Sequence, residues 1–266
     1  MEMLISIITV ALNSAKTVED TIRSVLFQTY SNIEYIIIDG DSNDNTLSII
    51  EKYAPLFDKR LKYVSEPDFG IYDAMNKGLG IATGDIVGFL NSDDYFENID
   101  VLERIAAVFE KKETDAVFGN VLYVKNSGRR IVRRYSGKHF YPWQLRYGMM
   151  PPHPSFYMKR QCYVNGGGYR TDFLISGDYE LLLRYFLKKN ISYQYLDLDM
   201  VVMRLGGASN RNFFSILCNN SLELIKACRV NGIYTNWFMI LFRFCLKAGG
   251  VLKWLFIPYY VRKNDN

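Results

Sequence analysis

The segment Ile86-Val87-Gly88-Phe89-Leu90-Asn91-Ser92-Asp93-Asp94 decides the fold. An uninterrupted apolar run of this length reads as a strand buried on both faces, and the abrupt change to Asn-Ser-Asp-Asp marks its carboxyl end. The same signature stands twice upstream. Leu4 to Val10 is an Ile/Val-rich run followed by Asn13, and Tyr35 to Ile38 runs into Asp39-Gly40-Asp41. Between these runs, Val18, Ile22, Val25 and Leu26 recur at helical spacing. Thr46 to Tyr53 and Tyr72 to Ala82 also read as helices, and Leu61 to Val64 as a strand. Buried strands alternating with amphipathic helices predict a parallel α/β sheet covered on both faces. Such sheets bind ligands outside the carboxyl ends of their strands, which is where the polar clusters fall.

The pattern continues downstream with a helix over Leu102 to Phe109, strands over Ala116 to Val124 and Ser155 to Met158, and a helix over Tyr179 to Lys188. The basic stretch from Asn126 to His139 reads as a loop or hairpin.

At 266 residues, 49% hydrophobic and 23% charged, the chain suits one large domain, or one domain with a small appendage. Cys162, Cys218, Cys228 and Cys245 lack the close pairs of a zinc site, and no secretory leader is read before the first strand. Free thiols in a cytoplasmic setting are expected. The net charge of +4 is unevenly placed: from Leu224 onward seven Lys/Arg face one acid, Asp265, whereas residues 1–223 carry a net charge of −2. That asymmetry favours a membrane surface over nucleic acid as a partner, and no nucleic-acid motif accompanies the basic run Arg129, Arg130, Arg133, Arg134, Lys138. Those arginines read as a solvated face or as a contact for an acceptor pyrophosphate or anionic headgroups.

Asp93-Asp94 is the strongest chemical signal. Mg2+ and Mn2+ take oxygen ligands, commonly one or two carboxylates plus substrate phosphates, so a carboxylate pair on a strand-end turn suits a cation bridging to a diphosphate. The plainer reading is a turn or cap before the helix at Leu102. Asp178, in Ser176-Gly177-Asp178-Tyr179-Glu180, reads as a helix cap, a general base, or both. Glu180 reads more simply as first-turn helix electrostatics.

Taken in order, Thr9-Val10-Ala11-Leu12-Asn13, Ile38-Asp39-Gly40-Asp41-Ser42-Asn43-Asp44-Asn45-Thr46, Gly84-Asp85 and Asn91-Ser92-Asp93-Asp94 resemble the motifs of family 2 glycosyltransferases. Glu66-Pro67-Asp68-Phe69-Gly70-Ile71-Tyr72-Asp73-Ala74-Met75-Asn76-Lys77-Gly78 resembles a subgroup from bacterial cell-surface polysaccharide pathways. The resemblance covers roughly residues 4–210. It implies a GT-A fold, with a nucleotide-sugar part over about 1–100, an acceptor part over about 101–210, and C-terminal helices over 211–266.

By that resemblance Thr9 and Asp39 contact uridine, Ala11, Asn13, Asp41, Asp68 and Lys77 belong to the nucleotide-sugar site, Asp93 lies near the ribose, and Asp94 ligates Mn2+ or Mg2+. Asp178 matches the family's catalytic Asp, with Gly177 where Glu is commoner. His153 supplements the metal shell, contacts the diphosphate or is structural. Arg204, in Arg204-Leu205-Gly206-Gly207-Ala208-Ser209, resembles part of a loop that folds over the donor diphosphate, near a position where many relatives carry His. The implied reaction is inverting, hexosyltransferase-type transfer from a UDP-sugar to a lipid-linked or oligosaccharide acceptor. The processive relatives' Gln-x-x-Arg-Trp motif is missing. A nucleotidyltransferase would show a Gly-rich, basic loop after strand one, unlike Ala11-Leu12-Asn13-Ser14-Ala15-Lys16, and a non-catalytic scaffold fits poorly with four retained aspartates.

Trp237-Phe238-Met239-Ile240-Leu241-Phe242 and Val251-Leu252-Lys253-Trp254-Leu255-Phe256-Ile257 are apolar but interrupted by Arg243, Lys247 and Lys253. They read as an interfacial anchor at the inner face of the cell membrane, or else as helices packed on the domain or in a homodimer interface.

Overall fold

The computed structural model describes residues 2–125, 130–205 and 213–243, with 213–219 given by backbone alone. The expected parallel unit is present. β1 (Ile5–Ala11), β2 (Ile33–Asp39), β3 (Leu61–Ser65) and β4 (Ile86–Phe89) alternate with α1 (Val18–Leu26), α2 (Thr46–Tyr53) and α3 (Ile71–Ile81). These four strands pair in parallel, with β1 between β2 and β4 and β3 outside β2. β5 (Tyr95–Phe96), α4 (Val101–Lys111), β6 (Ala116–Lys125), β7 (Ile131–Tyr135) and β8 (Phe156–Lys159) follow. Then come α5 (Arg160–Gly166), α6 (Gly177–Leu183), β9 (Tyr193–Leu205) and α7 (Phe213–Val230). The sheet order is β3-β2-β1-β4-β8-β6-β9-β5, with β7 on β6. β8 is antiparallel to both β4 and β6, so β6 and its parallel neighbour β9 run with the first four strands. The sheet is therefore mostly parallel.

The period of two along each strand divides the core. Ile5, Ile7, Tyr35 and Ile37 face the layer of α1, α2 and α4. Ile8, Val10, Ile36 and Ile38 face α3, α6 and α7. α3 lies close on the sheet because Gly78 has no side chain: a Cβ there would meet Ile8 Cγ2 at 2.4 Å.

The basic stretch after β6 forms a hairpin, with β7 antiparallel to β6 and Tyr123 opposite Arg133. β9 was not expected, although Leu196, Leu198 and Met200 alternate with Asp197 and Asp199 in a period of two. The core also continues past residue 210. Leu224, Ala227 and Cys228 of α7 are buried, as is Ile240 in a helical stretch over 237–243. Cys162 and Cys228 are free thiols. Among the described residues no helix is long and apolar enough to cross a membrane. The apolar run 251–257 and the segment 206–209 lie outside the described residues.

Candidate active site

The turns after β1 and β2 are tied together by side chains. Asn13 takes a left-handed φ of 50° and Asp41 one of 63°, conformations that Asn and Asp tolerate better than most residues. Asn13 Oδ1 accepts the Asn43 amide at 2.9 Å, and the Asn13 amide donates to Ser42 Oγ at 2.8 Å. Asp39 is fully buried and accepts from the Ser42 amide (3.1 Å), Ser42 Oγ (2.5 Å) and Ser65 Oγ (2.7 Å). A carboxylate has about four acceptor positions, so these three bonds leave one unfilled. Ala11 is buried and its carbonyl accepts from Gly40 at 2.8 Å. Gly40 in turn leaves room for Asp68, whose Oδ2 would lie 2.4 Å from a Cβ at that position. Asp68 also accepts the Gly70 amide at 2.9 Å.

Thr9 lies beneath this rim. Its buried hydroxyl donates to the Leu90 carbonyl at 2.7 Å and shares a hydrogen bond with Tyr35 at 3.1 Å, which fastens β1 to the end of β4. Lys77 binds its own loop, donating to the Pro67 carbonyl at 2.7 Å and pairing with Glu66 at 2.8 Å.

The chain after β4 turns at Asn91, whose carbonyl accepts the Asp94 amide at 3.0 Å. Both aspartate carbonyls are held from outside the turn: Asp93 by Arg204 (3.0 Å) and Asp94 by Thr21 Oγ1 (2.6 Å). Asp93 is half-buried; Asp94 is 1% exposed, and its Oδ1 has no hydrogen-bond partner among the described residues. Burial, and then the neighbouring Asp93 charge, push the Asp94 carboxyl well up; burial also raises Asp93. A buried, unpartnered carboxylate oxygen beside a second carboxylate fits a hard divalent cation that takes its other ligands from phosphate and water. Among the described residues no set of three or more His, Cys, Asp or Glu side chains gathers to hold a metal, so His153 does not join the aspartates in one.

Arg204 stands in β9 with its guanidinium engaged. It pairs with Asp20 at 2.5 Å, donates to the Asp93 carbonyl, and sits 4.8 Å from the centre of the Tyr95 ring. In this arrangement it braces the aspartate turn.

Asp178 opens α6 on a wall assembled from distant segments. The Tyr72 hydroxyl of α3 donates to the Ile175 carbonyl at 2.7 Å and lies beside the Asp178 carboxylate. Tyr72 stacks on Tyr169, and Asn76 exchanges two hydrogen bonds of 2.8 Å with the Tyr169 backbone. His153 Nε2 is 2.9 Å from the Tyr169 hydroxyl, and its ring is buried against Phe89. Burial pushes the Asp178 carboxyl up, opposed by the nearby His153; burial pushes the His153 imidazole down, opposed by Asp178.

Glu223 of α7 completes the wall by accepting the amides of Leu174, Ile175 and Ser176 at 2.8, 2.9 and 2.7 Å. Glu180 forms a two-point pair with Arg184, whose guanidinium also reaches the carbonyls of Gly166, Gly167 and Gly168. That geometry makes Glu180 part of the scaffold. Ser42, Ser65, Tyr72, Asn76 and Glu223 were not singled out in the sequence. Tyr72 and Asn76 stand in a motif quoted as a block, and single serines or a helix glutamate give no local signal.

Between the two centres, burial raises the Tyr123 phenol, with Arg133 opposing and Asp94 adding. Burial, with Tyr123 adding, Arg133 opposing and Asp178 adding, brings the Tyr135 phenol to about 12. Tyr123 lies opposite Met203, next to the Arg204 that holds the Asp93 carbonyl, and the Tyr135 hydroxyl donates to the Met150 carbonyl, so β6 and β7 link the aspartate turn with the segment that leads into His153.

The carboxylate turn stands where the sheet switches from parallel to antiparallel strands, the place at which open α/β sheets bind their ligands. Comparison with known proteins places the chain in a family. The sequence profile of Glycosyl transferase family 2 matches residues 6–171. A PGL/p-HBAD biosynthesis glycosyltransferase of Mycobacterium tuberculosis is 30% identical over 207 residues, covering 77% of this chain and 78% of its own. An uncharacterized glycosyltransferase of the same species is 32% identical over 186 residues, covering 68% of each chain. The chain belongs to glycosyl transferase family 2 and is a glycosyltransferase.

Staphylococcus aureus TarS 1-349 in complex with UDP-GlcNAc superposes with a TM-score of 0.65 at 20% identity, covering 83% of this chain and 66% of that one. The match spans only 39% of a longer TarS chain. The mannosyltransferase PcManGT from Pyrobaculum calidifontis, in complex with GDP-Man and Mn2+, superposes with a TM-score of 0.59 at 19% identity, covering 84% and 62%. These likenesses establish the GT-A type of fold.

Proposed function

We propose that the protein transfers a sugar from a UDP-sugar to a lipid-linked glycan acceptor with inversion at the anomeric carbon, in cell-surface polysaccharide synthesis. The observation that carries this reading is the buried carboxylate of Asp94 at the end of β4, with one oxygen unpartnered beside Asp93. The uridine lies over the ends of β1 and β2, where Asp39 keeps one acceptor position for the uracil N–H. Ala11, Asn13, Asp41 and Asp68 shape that rim, Asp93 faces the ribose, and Thr9 and Lys77 hold its supports in place. Asp94, with its unpartnered Oδ1, is the protein ligand to Mn2+ or Mg2+. When bound, such a cation offsets charge on the departing diphosphate.

Asp178 takes the proton of the acceptor hydroxyl as that oxygen attacks the anomeric carbon. The bond from that carbon to the diphosphate oxygen breaks on the opposite face, and the diphosphate leaves with the electron pair. Burial pushes the nearby His153 imidazole down, with Asp178 opposing, which disfavours its taking the proton in place of this base.

Two surfaces support a lipid-linked acceptor. Phe69 and Leu174 are 96% and 84% exposed, with Ile71 and Ile175 also exposed, on segments joined beside Asp178 by the Tyr72–Ile175 hydrogen bond. Trp237, Phe238, Leu241 and Phe242 are exposed, and Phe242 meets Tyr147, which meets the exposed Trp143. Such an aromatic face suits a headgroup region and supports a peripheral station at the membrane. The test is release of UDP from UDP-sugars with Mn2+ and vesicles carrying lipid-linked glycans. Turnover that needs both the acceptor and Asp178 is expected; folded protein that releases UDP with none of these pairs contradicts the reading.

A further inference from the structure

The cations first considered for phosphate are engaged elsewhere: Arg204 with Asp20, Asp93 and Tyr95, and Lys77 with Glu66 and Pro67. The hairpin of β6 and β7 presents a different one. Its two consecutive arginines point to opposite faces, as strand alternation requires. Arg134 is neutralised by Asp199 at 2.7 Å and Asp197 at 3.2 Å. Arg133 has no carboxylate within ion-pair distance among the described residues, and it is exposed. Its guanidinium lies 5.7 Å from the ring centre of Tyr123, directly across the ladder, and 5.6 Å from that of Tyr135, two residues along the same face.

Two aromatic faces hold the group in place by cation–π attraction without neutralising it, so its N–H fork stays available for an anion. Tyr123 lies opposite Met203, the neighbour of the Arg204 that donates to the Asp93 carbonyl, and the Tyr135 hydroxyl donates to the carbonyl of Met150, three residues before His153.

We infer that Arg133 binds and positions a phosphate group of a substrate between the Asp93-Asp94 turn and the Asp178 wall. This inference rests on the glycosyl-transfer reading for its substrate. The phosphate is either the donor's diphosphate or the pyrophosphate of the acceptor, and the two sources separate by titration. Calorimetry compares the natural chain, Arg133→Ala, Arg133→Lys and Arg130→Ala, with UDP, uridine and inorganic pyrophosphate as probes, each with Mn2+. Far-UV circular dichroism and Tm are recorded for every variant.

If the phosphate is the donor's, Arg133→Ala weakens UDP by about 10- to 100-fold, as expected for loss of a charge-assisted contact, and leaves uridine unchanged. If it is the acceptor's, UDP is unchanged, and pyrophosphate binding to the UDP-saturated protein weakens by a similar factor. Arg133→Lys keeps the charge without the fork and falls between. Arg130→Ala removes the same charge from the same hairpin, and screening keeps its effect to about twofold. Unaltered UDP and pyrophosphate binding in folded Arg133→Ala overturns the inference while leaving the glycosyl-transfer reading intact. Failure of the natural chain to bind UDP, with pyrophosphate binding still dependent on Arg133, overturns the UDP reading and leaves the anion site standing.

Discussion

The two carboxylate centres rest on different supports. Asp93 and Asp94 sit on a tight turn at the end of a buried strand, and two contacts to their carbonyls fix the turn. Asp178 sits on a wall whose parts come from α3, the Tyr169 segment and α7, joined by Tyr72, Asn76 and Glu223. The first centre is a short turn at a strand end, with Arg204 and Thr21 reaching its carbonyls across 111 and 73 residues; the second opens a helix whose preceding loop is held by side chains of other segments. A disturbance at the second should therefore reach catalysis without reaching nucleotide binding.

The largest effect expected from that contrast is at Asp178. Asp178→Asn removes the proton acceptor and lowers kcat by about 10²- to 10⁴-fold, with the UDP affinity unchanged, as steady-state kinetics and calorimetry will register. A parallel loss of UDP affinity would show that the two centres are not separable. The same carboxyl sets a pH dependence. Burial raises it, and only its ionised form accepts a proton. The rate should therefore climb with pH through a midpoint above the ordinary carboxyl value of about 4, an acid limb that Asp178→Asn removes.

Glu223→Ala comes next. It leaves three amides of the loop before α6 without their acceptor, which lowers kcat by about 10-fold and stability by about 1–3 kcal/mol. Glu223→Gln keeps an acceptor oxygen and should recover part of both. Unchanged kcat in Glu223→Ala would remove α7 from the account of the catalytic wall.

The smallest effect tests the first centre without substrate. The Asp94 carboxyl is raised by burial, so above the ordinary carboxyl range its charge burdens the native state more than the unfolded one. Asp94→Asn relieves that burden in the metal-free protein. At pH 7 a gain of about 1 kcal/mol would raise Tm by roughly 2–4 °C. The gain should vanish as pH falls below about 4, where the carboxyl is protonated in both states. A lower Tm at pH 7 would mean that Asp94 is satisfied by contacts within the protein.

The same contrast explains what the sequence disclosed. β1, β2 and β4 were readable because each apolar run ends in a polar turn within a few residues, and Asp39, Asp93 and Asp94 were found at those ends. Asp178 was found from its place before a helix. Its supports were not, because they are remote: Tyr72 reaches Ile175 across 103 residues, Asn76 reaches Tyr169 across 93, and Glu223 reaches Ser176 across 47. Lys77 was assigned to the donor site by resemblance, and Arg204 by resemblance and its phosphate-binding fork, whereas their pairing with Glu66 and Asp20 could not be read from spacing alone. β9 was legible in its alternation of Leu and Asp, yet the loop expected at Arg204 masked it. The hairpin was expected as one of two options, whereas the opposite fates of Arg133 and Arg134 depend on β9 supplying Asp197 and Asp199 to one face.

The most direct test of the central claim is calorimetry of UDP with and without Mn2+, on the natural chain and on Asp94→Asn. UDP binding that Mn2+ strengthens in the natural chain, and no longer strengthens in Asp94→Asn, is the predicted result. UDP binding with the same affinity in all four conditions, or no binding by folded protein in any of them, would contradict a metal-assisted UDP site at the end of β4.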